Sequence, residues 1–386
     1  PSRDGVGRVR LRSPDALRRI AWAPGELGLA RAYVVGDIDV EGDLPSVLDA
    51  LQRSLRGKRL RPQHVTRAVR AANHLGALGR PPEPPAEEAR PSGRRHSKAR
   101  DAETIAHHYD VGNAFYALVL GPSMTYSCAV WSGATPTLAD AQRAKHNLIA
   151  RKLGLHHRRG MRLLDVGCGW GSMAIHAAST YDATVVGITI SEEQAALARD
   201  RVKEAGLDHL IDIRIQDYRD VRDEPFDAIS SIGMFEHVGR ERTAEYFSGL
   251  FSLLAPRGRL LNHAISRPGG SRPRKRSFIG RYVFPDGELH DVTDTMESMS
   301  AAGFEVRNVE ALREHYARTL RAWIANLERH WDDAVALVGE RRCRVWLLYM
   351  AASVVGFTDG GLGVDQLLGV RPDPSGASGF PWRPDW

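Results

Sequence analysis

Two short stretches hold the residue types that could do chemistry. In "LDVGCGWG", residues 164–171, Gly167, Gly169 and Gly171 follow Asp165 with the spacing G-x-G-x-G. Such glycines let the backbone turn tightly and come close to a ligand at the carboxyl end of a strand, where open α/β sheets bind their ligands. The spacing is not the G-x-G-x-x-G of a dinucleotide turn, and no P-loop lysine follows. A carboxylate just ahead of the turn would repel a pyrophosphate but suits an amino-acid ammonium, which favours S-adenosylmethionine over NAD. The second stretch, "MTYSCAVW" at 124–131, sets Cys128 between Ser127 and Ala129. A buried thiol is most often a small hydrophobe, so a chemical role for Cys128 requires partners from elsewhere in the chain.

The elements that would position these residues are legible as an alternation. Apolar strands read at 162–167, 184–190, 211–217, 226–233 and 258–266, with helical segments between most of them. Strands alternating with helices imply an α/β fold, a parallel sheet covered on both faces. Ahead of the first strand, Thr137 stands three residues before Asp140 at the head of an apolar-periodic run, which predicts a capped helix start. "ITISEEQ" after the second strand and "QDYRD" after the third fall where a nucleoside's ribose and adenine would be held. The second strand ends without the usual acidic residue. Thr189 stands there instead, and Gln194 could supply the ribose contact.

Charge divides the chain. Residues 1–100 hold 20 Lys/Arg against 11 Asp/Glu, whereas the remainder holds 33 against 36, within a total of +6 over 386 residues. A basic amino-terminal part attracts nucleic acid or anionic lipid, and charge alone does not choose between them. Residues 80–100 are rich in proline and charge and are expected to be a linker. The expected organisation is a small basic domain at 1–79, that linker, and a large domain at 101–386. In the small domain "DALRRIAW" and "SVLDALQRSL" read as helices, with "ARAYVVGDIDVEGD" as extended or turn structure between them. An interruption at 267–293 carries Arg267, Arg272, Arg274, Lys275, Arg276 and Arg281 and reads as a lid or membrane-facing loop. Three scattered cysteines are too few for a disulfide framework or a cysteine-rich zinc site, and no metal site is expected. They fit a reducing, cytoplasmic setting. The longest apolar run, 345–357, is shorter than the roughly 20 residues of a membrane span, and the amino terminus has no signal pattern.

Eight segments in order, "HHYDVGNAFY", "MTYSCAVW", "LDVGCGWG", "VVGITISEEQ", "QDYRD", "GMFEHVG", "LNHAIS" and "HYARTLRAW", resemble the cyclopropane-fatty-acyl-phospholipid synthase family. That family includes the mycolic-acid cyclopropane synthases and the fatty-acid methyltransferases that make 10-methylene and 10-methyl branches. The resemblance covers the chain from about residue 101 and implies a class I S-adenosylmethionine-dependent methyltransferase, a Rossmann-like, mostly parallel sheet with helices on both faces, plus a small amino-terminal domain. It implies methyl transfer to the double bond of an unsaturated acyl chain in a membrane phospholipid. The π bond attacks the sulfonium methyl, charge appears on the chain, and loss of a proton closes a cyclopropane or leaves a methylene. Such a step needs a base beside the cation and a pocket that excludes water.

In the resembled family the base is a bound bicarbonate, held by residues that correspond to Cys128, Glu236, His263, Tyr316 and the backbone at Ile265. Around the cofactor the resemblance places Tyr126 and Ser127 at the methionine end, beside Asp165 and the three glycines. It places Thr189 and Gln194 at the ribose, Asp217 and Tyr218 at the adenine, and Tyr109 closing over the cofactor. The implied partners are a phospholipid and an anionic membrane surface rather than nucleic acid, a second copy in a homodimer, and a separate reductase if the product is a methylene fatty acid. The implied location is the inner face of the membrane, peripherally bound. A methyltransferase for a small molecule or nucleic acid would need no bicarbonate cage. A non-catalytic lipid-binding module would need neither cage nor glycine turn.

Overall fold

A computed structural model describes residues 7–55, 79–89, 100, 111–269 and 277–386. The first described elements are strand β1 (Gly7–Leu11), helices α1 (Asp15–Trp22) and α2 (Glu26–Val34), strand β2 (Ile38–Gly42) and helix α3 (Leu44–Leu55). β1 and β2 form an antiparallel pair. The two expected helices stand as α1 and α3, but the first part of the intervening stretch is helical, against the extended reading. Leu27, Ala30, Tyr33 and Val34 fall at helical spacing and are buried, so packing outweighs the strand preference of Val34 and Val35.

The large sheet has seven strands in the order β5-β4-β3-β6-β7-β9-β8. These are β3 (Arg162–Val166), β4 (Thr184–Thr189), β5 (Ile211–Ile215), β6 (Phe226–Ile232), β7 (Leu254–Ser266), β8 (Glu305–Ala311) and β9 (Gly363–Val370). The five strands read from the sequence are parallel to one another. The last two were not foreseen. β9 runs antiparallel between β7 and β8 and extends the sheet beyond the alternation.

The helices are α4 (Gly112–Leu120), α5 (Leu138–Leu153), α6 (Ser172–Tyr181), α7 (Glu192–Glu204), α8 (Thr243–Leu253), α9 (Phe278–Tyr282), α10 (Val292–Ala301), α11 (Arg313–Arg329), α12 (Trp331–Val338) and α13 (Glu340–Thr358). The Thr137 hydroxyl accepts from the Asp140 backbone N–H at 3.2 Å, the cap that starts α5. One face of the sheet packs on α5, α6 and α7 and the other on α8 and α10. A third core joins α2 and α3 to α4, α11 and α13. There the buried Arg344 of α13 donates to the carbonyls of Tyr33 and Ile38, both at 2.7 Å, which satisfies a charge that would otherwise be costly to bury.

Residues 80–89 have neither helix nor strand, but they are not all solvated. Glu88 is buried and accepts two hydrogen bonds from the Arg31 guanidinium, each at 2.9 Å, and the Ala89 N–H donates to the Arg281 carbonyl at 2.7 Å. In the 267–293 interval Phe278, Tyr282 and Val283 are buried in the third core. Arg272, Arg274, Lys275 and Arg276 lie outside the described residues. Among the described residues no helix is long and apolar enough to cross a membrane.

Candidate active site

The glycine turn joins β3 to α6. Gly167, Gly169 and Gly171 have φ of 75°, 53° and 78°, the left-handed region that favours glycine. At Gly167 a Cβ would also come within 3.0 Å of the Met234 side chain. A cleft opens over this turn at the carboxyl ends of the parallel strands. Its walls include Tyr126, Ser127, Asp165, Gly167, Gly169, Thr189, Gln194, Asp217 and Tyr218. Nine of the residues expected around a cofactor therefore converge. Gly171 does not line the cleft: it starts α6, where a Cβ would pack on Ala198 at 3.4 Å. Tyr109 lies outside the described residues.

Asp165 sits at the floor of the cleft. One carboxylate oxygen accepts from the Ser230 hydroxyl at 2.7 Å, while Oδ2 is buried with no hydrogen-bond partner among the described residues. Burial raises its pKa to about 6, against the pull of the Ser230 hydrogen bond and the Lys145 charge. An unpartnered buried oxygen of this kind is a fit receptor for an ammonium group. Thr189 donates to Gln194 Oε1 at 2.9 Å, which ties the end of β4 to the first turn of α7. The carboxylate of Asp217 accepts from the Arg219 backbone at 2.9 Å and pairs with its guanidinium, holding the turn that presents Tyr218.

The five residues expected to form a cage come from four distant segments, yet a continuous run of contacts links them. Glu236, in a short 3-10 turn after β6, accepts the Ile265 backbone N–H on Oε1 at 2.7 Å. Ile265 pairs with Val364 across β7 and β9, and the Val364 carbonyl accepts from the Leu312 N–H at 2.8 Å. The Leu312 carbonyl in turn accepts the Cys128 thiol at 3.6 Å and the Tyr316 N–H at 3.1 Å. His263 lies two residues before Ile265 on the same face of β7.

This region is dry. Relative exposure is 0% for Cys128, 2% for His263, 6% for Tyr316 and 9% for Glu236. Burial raises the Cys128 pKa, so the group is a thiol, and the Cys128 S–H is directed at backbone carbonyls. Burial also raises Glu236 to about 7 and lowers His263 to about 3. Glu236 Oε2 and His263 Nε2 are both buried without a hydrogen-bond partner among the described residues.

Sequence reasoning missed Lys145. It is buried in the cleft wall, donates to the Ser127 hydroxyl at 3.0 Å, and has its pKa lowered to about 7 by burial. Its neighbour Gln142 donates to the Ser127 carbonyl at 2.9 Å. The signal was available: Gln142, Lys145, Ile149 and Lys152 recur at helical spacing on α5, which puts polar residues in a core-facing stripe.

A glycine turn after the first strand of a parallel sheet, with an unpartnered carboxylate oxygen at the floor of its cleft, defines an S-adenosylmethionine-dependent methyltransferase. Residues 96–367 match the family model described as mycolic acid cyclopropane synthetase, and the chain belongs to this family of cyclopropane synthases and fatty acid methyltransferases. A probable fatty acid methyltransferase of Mycobacterium tuberculosis is 46% identical over 397 residues, covering 99% of this chain and 91% of that protein. The cyclopropane-fatty-acyl-phospholipid synthase of Escherichia coli is 35% identical over 353 residues, covering 90% and 84%. Among solved structures, the mycolic acid cyclopropane synthase CmaA1 complexed with SAH and CTAB has 36% identity and a TM-score of 0.65, covering 69% of this chain and 97% of that one.

Proposed function

We propose that this enzyme adds a one-carbon unit to the double bond of an unsaturated acyl chain in a membrane phospholipid, with bicarbonate in the Cys128, Glu236, His263, Tyr316 region. The cofactor supplies an electrophilic methyl group, and the anion supplies a base for the proton that must leave. The chain's own residues do the rest. Asp165 offers Oδ2 to the cofactor's ammonium, and the turn at 167–171 lets the backbone approach it. Glu236, braced by the Ile265 N–H, and His263 present the atoms that face the anion.

The observation that carries this reading is the pair of orphaned atoms, Glu236 Oε2 and His263 Nε2, in a water-poor region. Buried polar groups are normally satisfied, and each one left open costs free energy. A small polar anion seated between the two side chains would satisfy both. The surrounding aromatic side chains, Tyr126, Tyr316, Trp323 and Phe357, keep water from a cation on the chain.

A second reading keeps the chemistry and changes the product to a methylene branch, which a separate reductase would convert to a methyl. The 46% identity to a probable fatty acid methyltransferase favours it. The protein is incubated with S-adenosylmethionine, bicarbonate and vesicles of anionic phospholipid carrying a cis-monounsaturated chain, and the fatty acids are analysed. Gain of one CH2 supports methyl transfer to the acyl chain, and olefinic proton signals separate methylene from cyclopropane. No gain, with cofactor binding intact, defeats both readings. Vesicle binding that ignores lipid charge and salt would remove the anionic surface from the proposal.

A further inference from the structure

Three neighbouring strands place His263, Gln366 and Glu310 in one row. His263 of β7 is the register partner of Gln366 on β9, and Gln366 is the partner of Glu310 on β8, so the three side chains stand side by side on one face of the sheet. Lys152, in the last turn of α5, enters this row from above and is fully buried. Its ammonium donates to Gln366 Oε1 at 2.9 Å and pairs with the Glu310 carboxylate. The Gln366 side-chain nitrogen lies 3.3 Å from His263 Nδ1.

The donor and acceptor roles along this row are forced. An ammonium has only hydrogens to offer, so Gln366 must turn its oxygen toward Lys152 and its NH2 toward His263. The NH2 also only donates, so Nδ1 must be the accepting nitrogen. In a neutral imidazole the single ring proton is then on Nε2. Nε2 is buried and has no hydrogen-bond partner among the described residues. Burial and the charges of Lys145 and Lys152 keep the ring neutral, which leaves one tautomer.

We propose that Lys152 and Gln366 are positioning residues that fix His263 as an Nε2–H donor, able to hold an anion's oxygen and unable to act as a base. This deepens the proposed function, because it assigns proton removal away from His263, to the bound anion. Lys152 acts through Gln366 and touches no substrate. Glu310 is the half-exposed end of the row, and its carboxylate opposes the lowering of the Lys152 pKa by burial.

The test is 15N NMR of the full-length protein labelled at histidine, with His263→Gln used to assign the resonance. The expected wild-type spectrum shows a pyrrole-type Nε2 and a pyridine-type Nδ1, unchanged between pH 6 and 8. A pyridine-type Nε2 would overturn the proposal. In Gln366→Glu the new carboxylate accepts from Nδ1–H, so the tautomer should invert, a histidine ionisation should enter the pH profile, and kcat should fall roughly tenfold or more with cofactor affinity unchanged. An unchanged tautomer and pH profile in that variant would also overturn it. Lys152→Met frees the amide to rotate and should give mixed tautomers. If a variant fails to fold, the wild-type spectrum still decides. The expected tautomer without methyl transfer to the acyl chains of vesicles would defeat the substrate reading alone, whereas transfer with the opposite tautomer would defeat this proposal alone.

Discussion

The two halves of the site are built in opposite ways. The cleft at the ends of β3, β4 and β5 is built around local turns, and several of its polar side chains are tied to near neighbours in sequence: Thr189 to Gln194, Asp217 to Arg219. The proposed cage draws on four separate segments, those of Cys128, Glu236, His263 with Ile265, and Tyr316, held together by strand pairing and by backbone bonds such as Glu236 to Ile265. The cleft is shaped by the left-handed turn at 167–171 and the proposed cage by long-range pairing, and burial moves titratable groups in both, Asp165 and Lys145 in the cleft, Glu236 and His263 in the cage. Damage to the cleft should therefore appear as lost binding, and damage to the cage as lost turnover.

The sharpest way to break this distinction is Glu236→Gln. It keeps the side-chain shape and the acceptor for the Ile265 N–H, and removes the titratable oxygen. The expected result is a fall in kcat of about a hundredfold or more with unchanged affinity for S-adenosylmethionine, measured by calorimetry and turnover on the same preparation. A matching loss of cofactor affinity would mean that cleft and cage are one unit. The opposite pattern is expected of Gly167→Ala. The left-handed φ of 75° and the 3.0 Å approach to Met234 together should cost about 2 kcal/mol, or about thirtyfold in Kd for the cofactor. Turnover at saturating cofactor should change far less.

The same contrast explains what could be read from the sequence. Asp165, the glycines, Thr189 and Asp217 were legible because short-range motifs specify short-range turns, and the cap at Thr137 followed from three residues of spacing. Cys128, Glu236, His263 and Tyr316 could be joined only through resemblance, because no local pattern says that Leu312 will lie beneath Cys128. Strand β9 was missed because it follows the long helix α13 instead of the βα alternation, and with it went Gln366 and the row on His263. The helical part of α2 was missed because Val34, Val35 and Gly36 read as a strand end, while its buried stripe gains meaning only against α13. What stayed hidden was long-range pairing rather than local preference.

The smallest expected effect refines the account of the cleft. If Asp165 receives the cofactor's ammonium through Oδ2, it must be ionised to do so. Burial holds its pKa near 6, so the carboxylate is mostly charged at pH 7 and mostly neutral at pH 5. As pH falls through 6, Kd for the cofactor should rise by up to about tenfold, because binding must then expel a proton. Calorimetry at pH 5.5 in buffers of different ionisation enthalpy should show that proton leaving, and Asp165→Asn should abolish both the release and the pH dependence while lowering affinity at pH 7. Because the pKa of Asp165 is raised by burial rather than by a partner, a persistent pH dependence in that variant would move the titrating group to Lys145. Its pKa is lowered to about 7 in the same wall, and its charge would be gained rather than lost on acidification, so affinity for a carboxylate would rise as pH falls. The direction of the slope therefore tells the two buried groups apart.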